Sequence, residues 1–178
     1  MYRFAVSVLL VLALSGAGYA AVVTLTDETG ATTFTANVAE QADVTVPAAV
    51  AFTVDSISAG TPSSAQTVSA TAIVLDDGHK LRISIAPDAT DFTPPLNGTI
   101  TWASSAISWV GTWTGGTAND STMSATAATY VKLVDMTTAN AATVSSADLV
   151  FTLAAKAGVD RAGAHTLAAT WKFESVSP

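Results

Sequence analysis

The sequence predicts an all-β protein, a single antiparallel β-sandwich of Ig-like or Greek-key type with about nine or ten strands. Apolar side chains recur at every second position along most of the chain, the spacing of strands that bury one face. Gly, Pro, Asn, Asp and Ser punctuate these runs at short intervals, and neither a heptad pattern nor a fixed-period repeat competes with them. Cysteine is absent, so packing and hydrogen bonding, not covalent staples, have to hold the layers together.

Residues 1–20 stand apart from this pattern. Met1-Tyr2-Arg3 is a short basic start, Phe4 to Leu14 is apolar apart from Ser7, and Ser15 to Ala20 is mostly small residues. That order predicts a secretory signal peptide cut near Ala20, with an apolar stretch too brief to span a bilayer. Removing the first 20 of 178 residues leaves 158, enough to bury one core, and places the domain at 21–178. It also removes Arg3 and no acid, so six Lys and Arg face fourteen Asp and Glu, a net charge of -8. Without a basic cluster, nucleic acid is excluded as a partner, because phosphate affinity comes from grouped cations releasing counterions.

Val22 to Thr26 and Thr32 to Val38 are short strand candidates. Val23 and Leu25, then Phe34, Ala36 and Val38, alternate with polar residues over 21–38. Such a segment is either an ordinary first strand or an arm that completes a neighbour's sheet by strand addition. Val44, Val46, Ala48, Val50, Phe52 and Val54 then share one phase, which predicts a strand. Pro47 cannot donate to a ladder, so this strand belongs at a sheet edge or breaks at a bulge. Val68, Ala70, Ala72 and Val74, followed across Asp76-Asp77-Gly78-His79 by Leu81, Ile83 and Ile85, read as a β-hairpin.

Asp88 to Asn97, with Pro94-Pro95, and Gly115 to Ser121 read as long surface loops. Ile100 to Trp102 is a short strand candidate, and Ile107, Trp109, Gly111 and Trp113 share a stronger one. Met123 to Val134 also fits helical spacing, but the surrounding Thr and Val favour a loop over 121–130 and a strand over Tyr130 to Val134. Leu149, Phe151 and Leu153, and finally Leu167, Ala169, Trp171 and Phe173, complete the set.

Little in the chain supports catalysis. Serine occurs neither in G-x-S-x-G nor ahead of a Ser-x-x-Lys pairing, and no Gly-rich phosphate cradle follows a strand and opens a helix. Two histidines are available. His79 sits in an Asp-Gly turn whose residues have backbone reasons to be there, and its spacing from Asp76 and Asp77 matches neither a zinc pair nor a calcium loop. His165 opens the last strand and reads as a hydrogen-bonded rim residue. We therefore expect no enzyme, no metal and no cofactor. The sequons Asn97-Gly98-Thr99 and Asn119-Asp120-Ser121 would mark surface loops in a host that glycosylates exported proteins.

Ala162 to Phe173, with Pro178 close behind, resembles the closing strand of WxL-domain bacterial surface proteins, in which a Gly-x-Tyr start leads to Trp-x-Leu and a nearby Pro. Lys80 to Trp109, with Asp91-Phe92-Thr93, resembles the middle of that domain. Here His165 stands for the Tyr and Phe173 for the Leu, and Trp102 and Trp109 are followed two positions later by Ser104 and Gly111. The resemblance covers roughly half of the chain beyond the leader, and it implies a β-sandwich attached noncovalently to the bacterial cell wall.

Two functional expectations follow. The first is a noncatalytic exported cell-surface protein, structural or adhesive, with a pilin-like variant in which Val23, Leu25 and Phe34 form an arm that builds extracellular filaments. The second is a carbohydrate- or peptidoglycan-binding module using Trp102, Trp113, Trp171 and Phe173, with Trp113, beside Thr114-Gly115-Gly116, the best placed for an exposed ring. The partner is another copy of the chain or a cell-wall glycan, and no membrane contact is expected once the leader is gone.

Overall fold

A computed structural model describes residues 32–139 and 141–177. The chain divides into Met1–Asn37 and a compact body, Val38–Pro178. Ten strands lie among the described residues: β1 (Gln41–Thr45), β2 (Thr61–Pro62), β3 (Gln66–Val74), β4 (Lys80–Pro87), β5 (Ile107–Val110), β6 (Gly116–Ala118), β7 (Ser121–Thr122), β8 (Val131–Met136), β9 (Thr143–Leu153) and β10 (Ala169–Val176). They form two antiparallel sheets packed face to face, the predicted β-sandwich. One sheet runs β1-β3-β9-β5-β7 with β2 also on β9, and the other runs β10-β4-β8-β6.

The core lies between the sheets. Val68, Ile83, Leu133, Val144 and Leu149 are fully buried there, and Trp109 and Phe151 meet edge to face at 6.2 Å. The Trp109 indole N–H donates to the Asn119 carbonyl at 2.9 Å, so the buried ring leaves no polar group without a partner.

Three bulges re-aim the inward phase. In β3, Ala72 takes φ 49°, and three steps of β3 oppose two of β1. Val68 and Ala70 therefore point inward, but the alternation expected to carry on through Ala72 and Val74 passes instead to Ile73. In β8 the register slips at Leu133, so that Leu133 and Val134 are both buried. In β9 the slip falls at Ala147-Asp148 and moves the buried set from Val144 and Ser146 to Leu149, Phe151 and Leu153. Asp148 holds this bulge by accepting the Thr112 N–H at 2.9 Å, the Thr112 hydroxyl and the Ser146 hydroxyl.

Several predicted elements differ. The strand expected over Val44 to Val54 stops at Thr45. Beyond it Val46, Val50, Phe52 and Val54 still rest on the core, but as a strap without a ladder, in keeping with the N–H that Pro47 lacks. The hairpin across Asp76 to His79 is an arch: β3 pairs within the first sheet and β4 within the second, because β1 occupies the edge β4 would need. From β3 to β10 the chain changes sheet at every connection.

Gly115 to Ser121 is not one loop but holds β6 and the start of β7. Ile100 to Trp102 forms no strand; next to it, Ala103 makes a single bridge to Asp91. Loop then strand is found where expected around Tyr130. Thr32 to Val38 holds no strand, and Phe34 is 91% exposed. Val22 to Thr26, with Val23 and Leu25, lies outside the described residues.

Gly115 tests the packing of the β5–β6 connection against β9. It adopts φ 74°, and a Cβ would collide with the Thr143 carbonyl oxygen at the start of β9. Gly115→Ala should cost about 3 kcal/mol or more, read from urea unfolding midpoints. An unchanged midpoint would contradict this close approach.

Candidate functional site

A polar cluster joins the sheets at one end of the sandwich and an apolar cleft opens at the other. At the polar end Glu40 precedes β1, the Asp76–His79 arch joins β3 to β4, and Ser175 lies near the end of β10. Glu40 Oε1 accepts the Asp76 N–H at 2.8 Å and the Ser175 hydroxyl at 2.7 Å, and lies 3.1 Å from His79 Nδ1. His79 Nδ1 is also 2.8 Å from Ser175 Oγ. The Asp76 amide, then the Ser175 hydroxyl, hold the Glu40 carboxyl below its ordinary value.

A nucleophilic serine gives its proton to the histidine, whereas here the Ser175 hydroxyl is directed at Glu40 and one imidazole nitrogen faces both partners. The group works as a latch tying β1 of one sheet to β10 of the other. Ligand atoms from Glu40, Asp76 and His79 lie within 4.8 Å of one another, a spacing at which, among the described residues, they could hold a cation. The carboxylate beside His79 comes from Glu40, distant in sequence, and not from Asp77 in the turn.

The cleft opens where β4 and β9 finish and β5 and β10 begin, with a volume of about 1000 Å³. The strap over residues 47–57 forms one wall and residues 159–169 the other; Ile85, Trp102, Ile107, Phe151, Leu153 and Trp171 line its floor. Trp102 is 4% exposed, donates its N–H to the Ala154 carbonyl at 2.9 Å, and stacks edge-on against Phe92 at 6.3 Å and His165 at 5.2 Å. Trp171 is half-buried and meets Phe151 edge-on at 6.4 Å. Phe173 follows two residues later on the same face of β10 and is also half-buried.

Of the four aromatic residues expected to bind, Trp102 and Trp171 line this cleft and Phe173 extends its face along β10. Trp113 is half-buried against the core and is not part of the lining. Phe52, which alternation assigns only to a buried strand face, and Phe92, from a loop, also line the cleft.

The wall over residues 159–169 is held by fixed polar contacts. His165 Nε2 donates to the Arg161 carbonyl at 3.1 Å, which leaves Nδ1 to accept the Thr101 hydroxyl at 2.9 Å, the expected rim role. Asp160 accepts the Thr99 and Ile100 N–H groups, each at 3.1 Å, and the Thr99 hydroxyl at 2.8 Å. The Ile100 amide, then the Thr99 hydroxyl, hold the Asp160 carboxyl down at about 2. Of the two sequons, Asn97 is exposed, while Asn119 Nδ2 already donates to the Lys132 carbonyl at 2.7 Å.

β10 forms the edge of its sheet along this side. The Asp88 N–H donates to the Ala168 carbonyl at 2.9 Å, which sets the alternation of the antiparallel β4–β10 ladder. Thr170, Lys172, Glu174 and Val176 therefore bond to β4, while Ala169, Trp171, Phe173 and Ser175 turn their backbone N–H and C=O groups to the open edge. Among the described residues these groups have no backbone partner on that side.

The chain matches no protein-family model, no curated protein and no solved structure.

The Asp160 clamp predicts a pH dependence. A carboxyl depressed from 3.8 to about 2 contributes stability above its ordinary value and loses it as pH falls toward its folded one. Asp160→Asn should lower the unfolding midpoint near neutral pH, with the deficit against the parent narrowing between pH 3.8 and about 2. A deficit that stays constant across that window would remove the carboxylate from the clamp.

Proposed function

We propose that this chain is a noncatalytic, exported component of the cell surface, structural or adhesive in role, which associates through an extended apolar surface. The observation that carries this reading is the pairing of the cleft with the unpaired edge of β10. Half-buried aromatic rings stand beside backbone groups that have no backbone partner among the described residues, and that combination suits an extended chain better than a reacting small molecule. Both histidines are engaged in contacts that hold secondary-structure elements in place, which supports a noncatalytic role. The leader-like residues 1–20 and the WxL-like closing strand support the same location outside the membrane.

A second reading, a carbohydrate- or peptidoglycan-binding module, is favoured by Trp171. Its ring lines the cleft, and among the described residues its indole N–H has no protein partner, the combination that suits stacking against a sugar.

Antibody against the folded body should label intact cells, and labelling only after lysis would refute the surface reading. On insoluble peptidoglycan, Trp171→Ala should lower retention about tenfold if the second reading holds, while Trp113→Ala should leave it unchanged. Equal retention by Trp171→Ala and the parent would dismiss the glycan site.

A further inference from the structure

We infer that the open edge of β10 is an acceptor for residues Thr32–Val38 of a second copy of this chain, which add to it as an extra strand. This deepens the assembling-component reading above and rests on it.

Donor and acceptor each lack what the other presents. Thr32–Val38 is uncharged and alternates Phe34, Ala36 and Val38 with Thr33, Thr35 and Asn37, yet it holds no strand in the single chain. Phe34 is 91% and Val38 69% exposed. β10 offers open-edge backbone groups at four positions, with Trp171 and Phe173 turned toward the core beneath them. Strand addition would bond the donor's amides to that edge and lay its apolar face over the two rings. Seven extended residues reach roughly 23 Å and the eight of β10 roughly 26 Å, so the lengths agree. The donor precedes the body in the chain and the acceptor closes it, so each copy can give one strand and receive another. That head-to-tail contact generates filaments unless it closes into a ring.

The test uses the mature chain from residue 21 onward. Light scattering after size exclusion should show concentration-dependent oligomers, and electron microscopy should show them as elongated. Phe34→Asp changes an exposed residue outside any strand, so the fold is kept. It should weaken association on the order of a hundredfold with an unchanged unfolding midpoint. The chain contains no Cys, so introduced thiols report contacts unambiguously. Copies carrying Thr35→Cys mixed with copies carrying Lys172→Cys should give a disulfide-linked heterodimer on mild oxidation, because both positions take the solvent-facing phase midway along their segments.

A parent chain that stays monomeric, assembly that survives Phe34→Asp, or a disulfide that forms only within one chain carrying both substitutions would each overturn the inference. Retention on peptidoglycan by a monomeric chain, lost in Trp171→Ala and kept in Phe34→Asp, would do so by making the glycan the occupant. Labelling of intact cells by a chain that fails these assembly tests would sink strand addition alone. Oligomers formed by a protein that never reaches the surface would sink the surface reading alone.

Discussion

β9 is the strand on which both the shape and the packing depend. Its eleven residues carry β2 and β3 along one edge and β5 along the other, so the first sheet has no continuity without it. A regular strand of that length would keep one phase inward throughout, but the bulge at Ala147-Asp148 lets both halves of β9 bury apolar side chains. The extra residue there places a carboxylate where three donors converge on it, so the irregularity is anchored and not merely tolerated. Gly111, just past β5, supports the same spot, since a side chain there would press on Leu149.

The two layers are joined differently at their two ends. At one end the Glu40, His79 and Ser175 contacts bind the first strand to the last across the sandwich. At the other, the strap that starts at Val46 lies over the core without pairing and leaves the end of the sandwich open. Asp160 and His165 hold the opposite wall in place, so the opening is framed by fixed polar contacts and floored by aromatic rings. One end is closed by polar contacts between the sheets, and the other carries an apolar opening within a polar frame.

Much of the architecture was legible because burial on one face of a strand writes period two into the sequence. Leu81, Ile83 and Ile85, and Leu149, Phe151 and Leu153, were read in their true phase, and the sandwich follows from them. Bulges were not legible: one inserted residue at Ala72, Leu133 or Ala147-Asp148 changes phase without changing composition. Sheet membership was hidden for a similar reason, since a four-residue turn with Gly at positive φ serves an arch as well as a hairpin. Of the aromatic residues singled out by their chemistry, Trp102 and Trp171 lie in the cleft lining, whereas Trp113, as half-buried as Trp171, follows β5 away from that end. Glu40 could not be connected with His79, because their contact is made across 39 residues of sequence.

The strict alternation of the chain between sheets also bears on how this protein forms. No two consecutive strands after β2 are ladder neighbours, so each ladder formed there joins strands that have at least one other strand between them in sequence. Closing such distant loops is slow, because chain entropy is lost before contacts compensate for it. The first layer lacks its central strand until residue 153 has been made, and the second lacks its last strand until residue 176. A nascent chain of this design completes neither layer until nearly its whole length has been made, so the finished sandwich is a product of the full-length polypeptide and not of its successive parts.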